Sequence, residues 1–294
     1  VAAPWHEGEI ALQRSVGLDQ PLAEIGPKVV RGFLTEQHRA FYPLLPFAVL
    51  GAVDERGDVW ATLRAGRPGF LSSPDPGRLD LAIPPDPDDP AEAGLRDGEP
   101  AALLGIELTT RRRNRLNGPV RSRTPGGFSL EVGQSFGNCP KYITLRSPVT
   151  HVEDGGSQPE RMGVLDDEAR ALIAGADTFF VASYAPGWDG ARQVDVSHRG
   201  GPPGFVRVES ASVLTVPDYS GNRYFNTLGN LAANPRAGLV FVDFAQGDLL
   251  QMTGDTELVL DSPEIALFPG AERLWRFRPR RIVRRKGGLP LRWR

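Results

Sequence analysis

The sequence predicts a mainly β protein with a few helices, built as two small barrels in tandem, and three observations predict it. Glycine (34) and proline (27) together make about one residue in five of the 294, above the roughly 12% average but below the roughly 25–30% of disordered low-complexity chains. Breakers at this density leave room for short strands and turns rather than long helices. The second observation is an internal repeat. Residues 59–70 read VWATLRAGRPGF and residues 194–205 read VDVSHRGGPPGF, so that at an offset of 135 Val59, Arg64, Gly66, Pro68, Gly69 and Phe70 fall on Val194, Arg199, Gly201, Pro203, Gly204 and Phe205, and Thr62 falls on Ser197. The block AALLGIEL, running on to Gly118, matches AGLVFVDF, running on to Gly254, at an offset of 136, and Ile83-Pro84 matches Val216-Pro217 at 133. Third, the apolar runs between turn signals are short and rich in β-formers, as barrel strands are.

Three blocks in one order divide the chain into copies at 1–152 and 159–294, with a linker at 151–158 where Glu153, Asp154, Gly155, Gly156 and Ser157 cluster. In the first copy a helix over 31–41 leads into a strand at 47–53, followed by strands near 59–63, 101–108 and 128–132. In the second a helix over 166–174, capped by Asp166 or Asp167, leads into a strand at 178–183, then strands near 194–198, 205–208, 237–244 and 249–259. The alternation at Leu250, Met252 and Thr256 predicts one wet and one buried face. Closure of each sheet removes its sticky edges.

The formal charge of -2 conceals an asymmetry. From Arg273 to Arg294 there are ten basic residues and no acid, leaving the remainder at -12. Such a tail would attract nucleic acid, a phosphate-bearing ligand or an acidic partner, or lie back on its own acidic body. Trp275, Phe277 and Trp293 interleave with its bases, as a nucleic-acid surface would require, but no binding motif accompanies them, and nucleic acid is the lesser reading. The single Cys139 excludes an internal disulfide and a thiolate zinc cluster. His6, His38, His151 and His198 show no metal-ligand spacing, so no metal is expected. There is no long apolar span and no basic-then-apolar leader, so the expectation is a soluble cytoplasmic protein away from membranes.

The richest polar stretch is 217–235, which holds Asn222, Arg223, Asn226, Thr227 and Asn230 around a flexible turn. A phosphate calls for a bidentate Arg, a hydroxyl and free backbone N–H groups. Arg199, Arg223 and Thr227 supply that set if the strand carrying Arg199 packs beside this turn; otherwise Asn, Gly and Thr simply build turns and cap a helix. The matching region of copy one, 75–99, holds eight acids against Arg78 and Arg96, which would repel a phosphate although Arg64 is retained. An anionic cofactor therefore belongs in copy two. The run GQSFG at 133–137 has the pattern of a nucleophile elbow around Ser135, but the β-leaning residues after it favour a glycine-rich turn. Arg111, Arg112, Arg113 and Arg115 read as a solvated strand edge or as a docking patch for an anion.

The run RYFNTLGNLAANPRAGLVFVDF from Arg223, with GDLLQMTG after it, resembles the pyridoxamine 5'-phosphate oxidase-like FMN-binding proteins, and DVSHRGGPPGFVRV (195–208) looks like the FMN-contacting strands of their functionally unassigned two-copy branch. The resemblance implies split β-barrels with FMN at a two-barrel interface formed within one chain. It implies Ser197, Arg199, Thr227 and Asn230 near the phosphate or ribityl chain, Gln251 near the flavin ring, and Arg199, Arg223 or the basic tail compensating the phosphate where the oxidases carry a lysine and this chain has Gly229-Asn230. Asn138 and Tyr142 are candidates for the far wall. The expected function is an FMN-dependent oxidoreductase passing two electrons from a small substrate or reduced nicotinamide. Its rivals are a non-catalytic flavin or haem carrier or sensor, and an electron-transfer subunit docking an acidic redox partner; association into a homodimer stays open.

Overall fold

The computed structural model describes residues 4–151, 158–186 and 191–293. Helices α1 (Glu7–Ser15), α2 (Asp19–Val29) and α3 (Glu36–Phe41) precede the first sheet, made of β1 (Phe47–Val53), β2 (Val59–Ala65), β3 (Leu71–Asp75), β4 (Arg78–Leu81), β5 (Pro100–Glu107), β6 (Arg112–Thr124), β7 (Gly127–Glu131) and β8 (Gln134–Gly137). After β9 (Pro148–His151) come β10 (Glu160–Met162), α4 (Asp167–Gly175), β11 (Thr178–Pro186), β12 (Arg192–Gly200), β13 (Arg207–Ser210), β14 (Val213–Tyr219), α5 (Asn226–Ala233), β15 (Arg236–Asp243), β16 (Asp248–Val259), β17 (Ala271–Arg285) and β18 (Leu291–Trp293).

The duplication is visible in the topology. The first antiparallel sheet runs β2-β1-β5-β6-β7-β4-β3 and the second β12-β11-β15-β16-β17-β14-β13, the same order once each strand is replaced by its repeat. Each sheet has eight strands, β8 joining the first on β6 and β10 the second on β17. Even the register repeats: Leu104 faces Arg115 across β5 and β6 as Val240 faces Gln251 across β15 and β16, in each case 136 residues on. The mainly β, tandem split-barrel class is what the structure has. Of the linker expected at 151–158, residues 152–157 lie outside the described residues.

Three apolar clusters explain why many strands lack alternation. One fills the first barrel (Ala48, Leu50, Leu103, Leu116), and one fills the second (Phe179, Val181, Leu239, Trp275). The third joins the two, with Phe47 and Val49 of β1 against Phe180, Ala182, Val194, Val196 and Val240. Neighbours on one strand serve opposite clusters, so β1 is buried on both faces. Close approach at this junction constrains the chain: a Cβ at Gly238 would lie 2.4 Å from the Val59 carbonyl oxygen.

Several sequence expectations change here. The wet face of β16 is covered by the first module, and its residues from Leu249 to Gly254 are all buried. The helix over 31–41 shrinks to α3, capped by Thr35 Oγ1 accepting from His38 N, because Arg31 instead pairs with Ser135 as a β-bridge. Asp166 caps α4 as expected. Most of the basic tail is β17, a strand near the middle of its sheet. Arg280 and Arg281 pair with Asp58 of the first module, Arg284 with Glu160, Asp166 and Glu168, and Arg285 with Asp86 and Asp89. The charge asymmetry is thus answered within the chain.

Candidate functional site

The site forms where β12 and the turn entering α5 meet β6 and the loop after β8. Asp195, Ser197 and Arg199 share one face of β12 by its period of two. Arg115, on β6 of the other module, donates through Nη1 to both Asp195 oxygens (2.9 and 3.0 Å) and through Nη2 to Ser197 Oγ (2.5 Å). Thr227, at the start of α5, also donates to Ser197 Oγ (3.0 Å), and Ser197 donates to Asp195 (3.1 Å). The turn before α5 holds Arg223 (φ 65°) and Phe225 (φ 61°) in the left-handed region, a strained backbone of the kind found at binding sites. No side chain caps α5, which leaves its first N–H groups for an anion.

The first module closes over this cradle. Asn222 Nδ2 donates to Asn138 Oδ1 (3.2 Å), Tyr142 OH donates to the Ser220 carbonyl (3.0 Å), and the Tyr142 and Tyr219 rings lie 5.4 Å apart. Gly200 permits the closure, since a Cβ there would stand 2.1 Å from the Tyr142 carbonyl oxygen.

The resulting cavity, of about 110 Å³, is lined by Arg113, Arg115, Lys141, Arg199 and Arg223 against only Asp218 and Glu272 as carboxylates. Arg199 is held by Asp218 (2.9 Å) and Arg223 is bidentate to Glu272, whereas the Arg113 guanidinium donates to the Cys139 carbonyl and pairs with no carboxylate among the described residues. Burial, and then its neighbours Arg115 and Arg199, push Arg113 down to about 9, so it stays charged at neutral pH. Burial and the surrounding guanidiniums of Arg113, Arg199, Arg146 and Arg115 push His198 well below the ordinary range, which keeps it neutral. Nε of Arg113, Arg115 and Arg199 and Nδ2 of Asn138 are buried without a partner. Five cationic side chains around one hollow with only two carboxylates make it a place for an anion. A second hollow of about 540 Å³ adjoins, sharing Arg113 and Asn138 and lined also by Arg31, Arg111 and Arg112.

Of the residues singled out in the sequence, the fold brings Ser197, Arg199, Arg223 and Thr227 to this cavity, with Asn138 and Tyr142 opposite. Asn230 and Gln251 are elsewhere. Asn230 is buried between His6 (2.8 Å) and Ser183 (3.0 Å). Gln251 crosses to the first module, donating to the Ala61 carbonyl and to Asp89, each at 3.0 Å. Arg113 and Arg115 sit at the centre, although their run showed only as an arginine patch. Ser135 is 0% exposed on β8, accompanied by His38 Nδ1 at 2.9 Å and followed by no helix, so it has no elbow geometry. Among the described residues no group of side chains could hold a metal, and no helix is long and apolar enough to cross a membrane.

The family comparison falls on the second module. The pyridoxamine 5'-phosphate oxidase family matches residues 165–285. No curated protein matches the chain. Among solved structures, an FMN-binding protein from Syntrophomonas wolfei is 11% identical over 40% of this chain and 84% of its own, with a TM-score of 0.30. A haem-storage protein from Vibrio cholerae is 14% identical over 41% and 94%, with a TM-score of 0.30. A stress-protein relative of the pyridoxinephosphate oxidase family from Clostridium acetobutylicum is 16% identical over 38% and 81%, with a TM-score of 0.25.

Proposed function

We propose, taking as premise that this chain belongs through residues 165–285 to the pyridoxamine 5'-phosphate oxidase-like split-barrel family, that it binds FMN by its phosphate at the junction of the two modules and serves as an FMN-dependent oxidoreductase. The observation that carries this reading is the cluster of Arg113, Arg115, Lys141, Arg199 and Arg223 around one hollow beside the uncapped start of α5. These donors fit a phosphate. The cavity of about 110 Å³ is well short of the roughly 300–1,000 Å³ of a pocket that encloses a whole organic ligand, so the remainder of the cofactor calls for space beyond it. The adjoining 540 Å³ hollow behind Arg113 and Asn138 is large enough.

In this arrangement Arg113, Arg115 and Arg199 neutralise the phosphate, Thr227 and the first N–H groups of α5 hydrogen-bond to it, and Tyr142 with Asn138 excludes water from one side. Bound flavin supplies two-electron transfer between a small donor and an acceptor. One observation favours the non-catalytic carrier as a second reading: both carboxylates lining the cavity are tied to arginines, Asp218 to Arg199 and Glu272 to Arg223, which leaves no unpaired carboxylate among the described lining residues to act as a general base. Titration with FMN, riboflavin and inorganic phosphate tests the anchor. FMN binding with flavin absorption bands, competition by phosphate and weak riboflavin binding are expected. Equal binding of riboflavin and FMN would overturn the phosphate anchor, and a Soret band in the purified protein would replace flavin by haem. Turnover of reduced nicotinamide by the FMN-loaded protein then separates the oxidoreductase from the carrier.

A further inference from the structure

The repeat places a second cradle in the first module. Thr62 and Arg64 stand on β2 where Ser197 and Arg199 stand on β12, and Gln251 reaches across from β16 as Arg115 reaches across from β6. At the centre of this second cradle lies the carboxylate of Asp89, whose side chain is 0% exposed. It accepts from Thr62 Oγ1 (2.5 Å), Gln251 Nε2 (3.0 Å) and Ala91 N (3.0 Å), and its Oδ2 lies 3.1 Å from Arg64 Nε and 3.3 Å from Arg285 Nη1. Three of these partners, Thr62, Arg64 and Gln251, are the repeat equivalents of Ser197, Arg199 and Arg115. Among the described residues no carboxylate of the second module unites the corresponding three: Asp195 engages Ser197 and Arg115, while Arg199 turns to Asp218.

We propose that the first module retains a complete oxyanion cradle, built from Thr62, Arg64, Gln251 and Arg285, which the chain fills with its own Asp89 in place of an external phosphate or carboxylate. The acidic loop that seemed only to repel anions is therefore an internal ligand. It is displayed by the 3₁₀ turn Pro90–Gly94, which Asp89 itself caps. Since Gln251 and Arg285 belong to the second module and Thr62 and Arg64 to the first, the occupant also ties the modules together, and a segment that left the cradle would expose an anion site and loosen the junction at once.

The inference is independent of FMN, and its experiment compares variants with wild type rather than relying on the wild-type site. Asp89→Ala removes the occupant and leaves a carboxylate-sized hole; Asp89→Asn keeps the volume filled by a neutral amide. Thermal unfolding is followed in chloride, formate and inorganic phosphate at equal ionic strength, with equilibrium dialysis of labelled formate and phosphate. Asp89→Ala is expected to melt lower than wild type in chloride, to regain at least ~3 °C in formate or phosphate, and to bind one oxyanion more than wild type. Asp89→Asn, with the cradle filled, is expected to gain neither. If Asp89→Ala binds no extra oxyanion, stays unfolded in both oxyanions, or is rescued no more than Asp89→Asn, the proposal is overturned. Loss of oxyanion binding by wild type alone would count against the second-module site and leave this one standing.

Discussion

Arg64 and Arg199 are repeat equivalents, and replacing each by alanine should have opposite consequences. Arg64 is 8% exposed and faces Asp89 at 3.1 Å, Glu92 at 2.5 Å and Asp86 at 3.5 Å. Its loss takes one of two guanidiniums from the buried carboxylate of Asp89, whose pKa burial would raise but which Arg64 and Arg285, with bonds from Thr62 and Gln251, hold below the ordinary range, and it also takes a partner from Glu92 and from Asp86. Breaking one partner from a buried ion pair costs about 3–5 kcal/mol, and for a domain somewhat smaller than this chain each kcal/mol moves Tm by ~2–4 °C. Arg64→Ala should therefore lower Tm by roughly 6–20 °C. Arg199 is more open, with 21% of its side chain exposed, and its partner Asp218 keeps Arg273 at 3.5 Å, so Arg199→Ala should cost no more than about 1.5 kcal/mol of stability. It should instead weaken FMN by about 1.5–3 kcal/mol, roughly ten- to 150-fold. Calorimetry and fluorescence titration at a temperature where both variants are folded measure the two effects. Equal losses of FMN affinity, or an Arg199→Ala variant as unstable as Arg64→Ala, would refute the assignment of cradle and plug.

Glu9 of α1 gives a pH signature. Burial, opposed by bonds from His6 N and Asn226 and modulated by Asp195 and Arg115, pushes its carboxyl up to about 8. Between its ordinary value and about 8 the folded state holds the extra proton, so stability falls as pH rises through that window, by up to ~5 kcal/mol; Glu9→Gln should flatten the profile and be more stable than wild type at pH 9 in urea titrations. Gly238→Ala forces a Cβ onto the Val59 carbonyl and should lower the urea midpoint by the equivalent of ~1–3 kcal/mol. Phe179→Ala removes a fully buried ring stacked on Phe205 and Phe241 and should cost ~3–5 kcal/mol in the same assay. Arg113→Ala should weaken phosphate competition without lowering Tm, since no carboxylate pairs with Arg113 among the described residues.

The sequence by itself determined the duplication, the mainly β class and the start of each barrel, because local turn chemistry and repeated blocks do not depend on distant partners. Strands β1, β2, β5, β11, β15 and β16 were legible for that reason. Helices α1 and α2 were not: α1 begins at a His6 and Glu9 capping box, which lacks the usual Ser or Thr signal. Strand β17 was hidden by its charge, since arginines that pair across modules look like a solvated tail when their acids are more than a hundred residues away. Part of the candidate site was readable as a phosphate-binding set on β12 and at α5. Its other half, Arg113 and Arg115, comes from the opposite module, and only the tertiary structure brings them to Ser197.

Gln251 and Asp89 make the same point from the other side. Local sequence places Gln251 on a strand and Asp89 in an acidic loop, and nothing local says that they meet 162 residues apart around Arg64. Propensity and repetition act over neighbouring residues and settle which elements form. Which charges end up paired, and which cradle is left open, depends on burial at the junction of two sheets, where desolvation makes an unpaired charge costly and a paired one permanent.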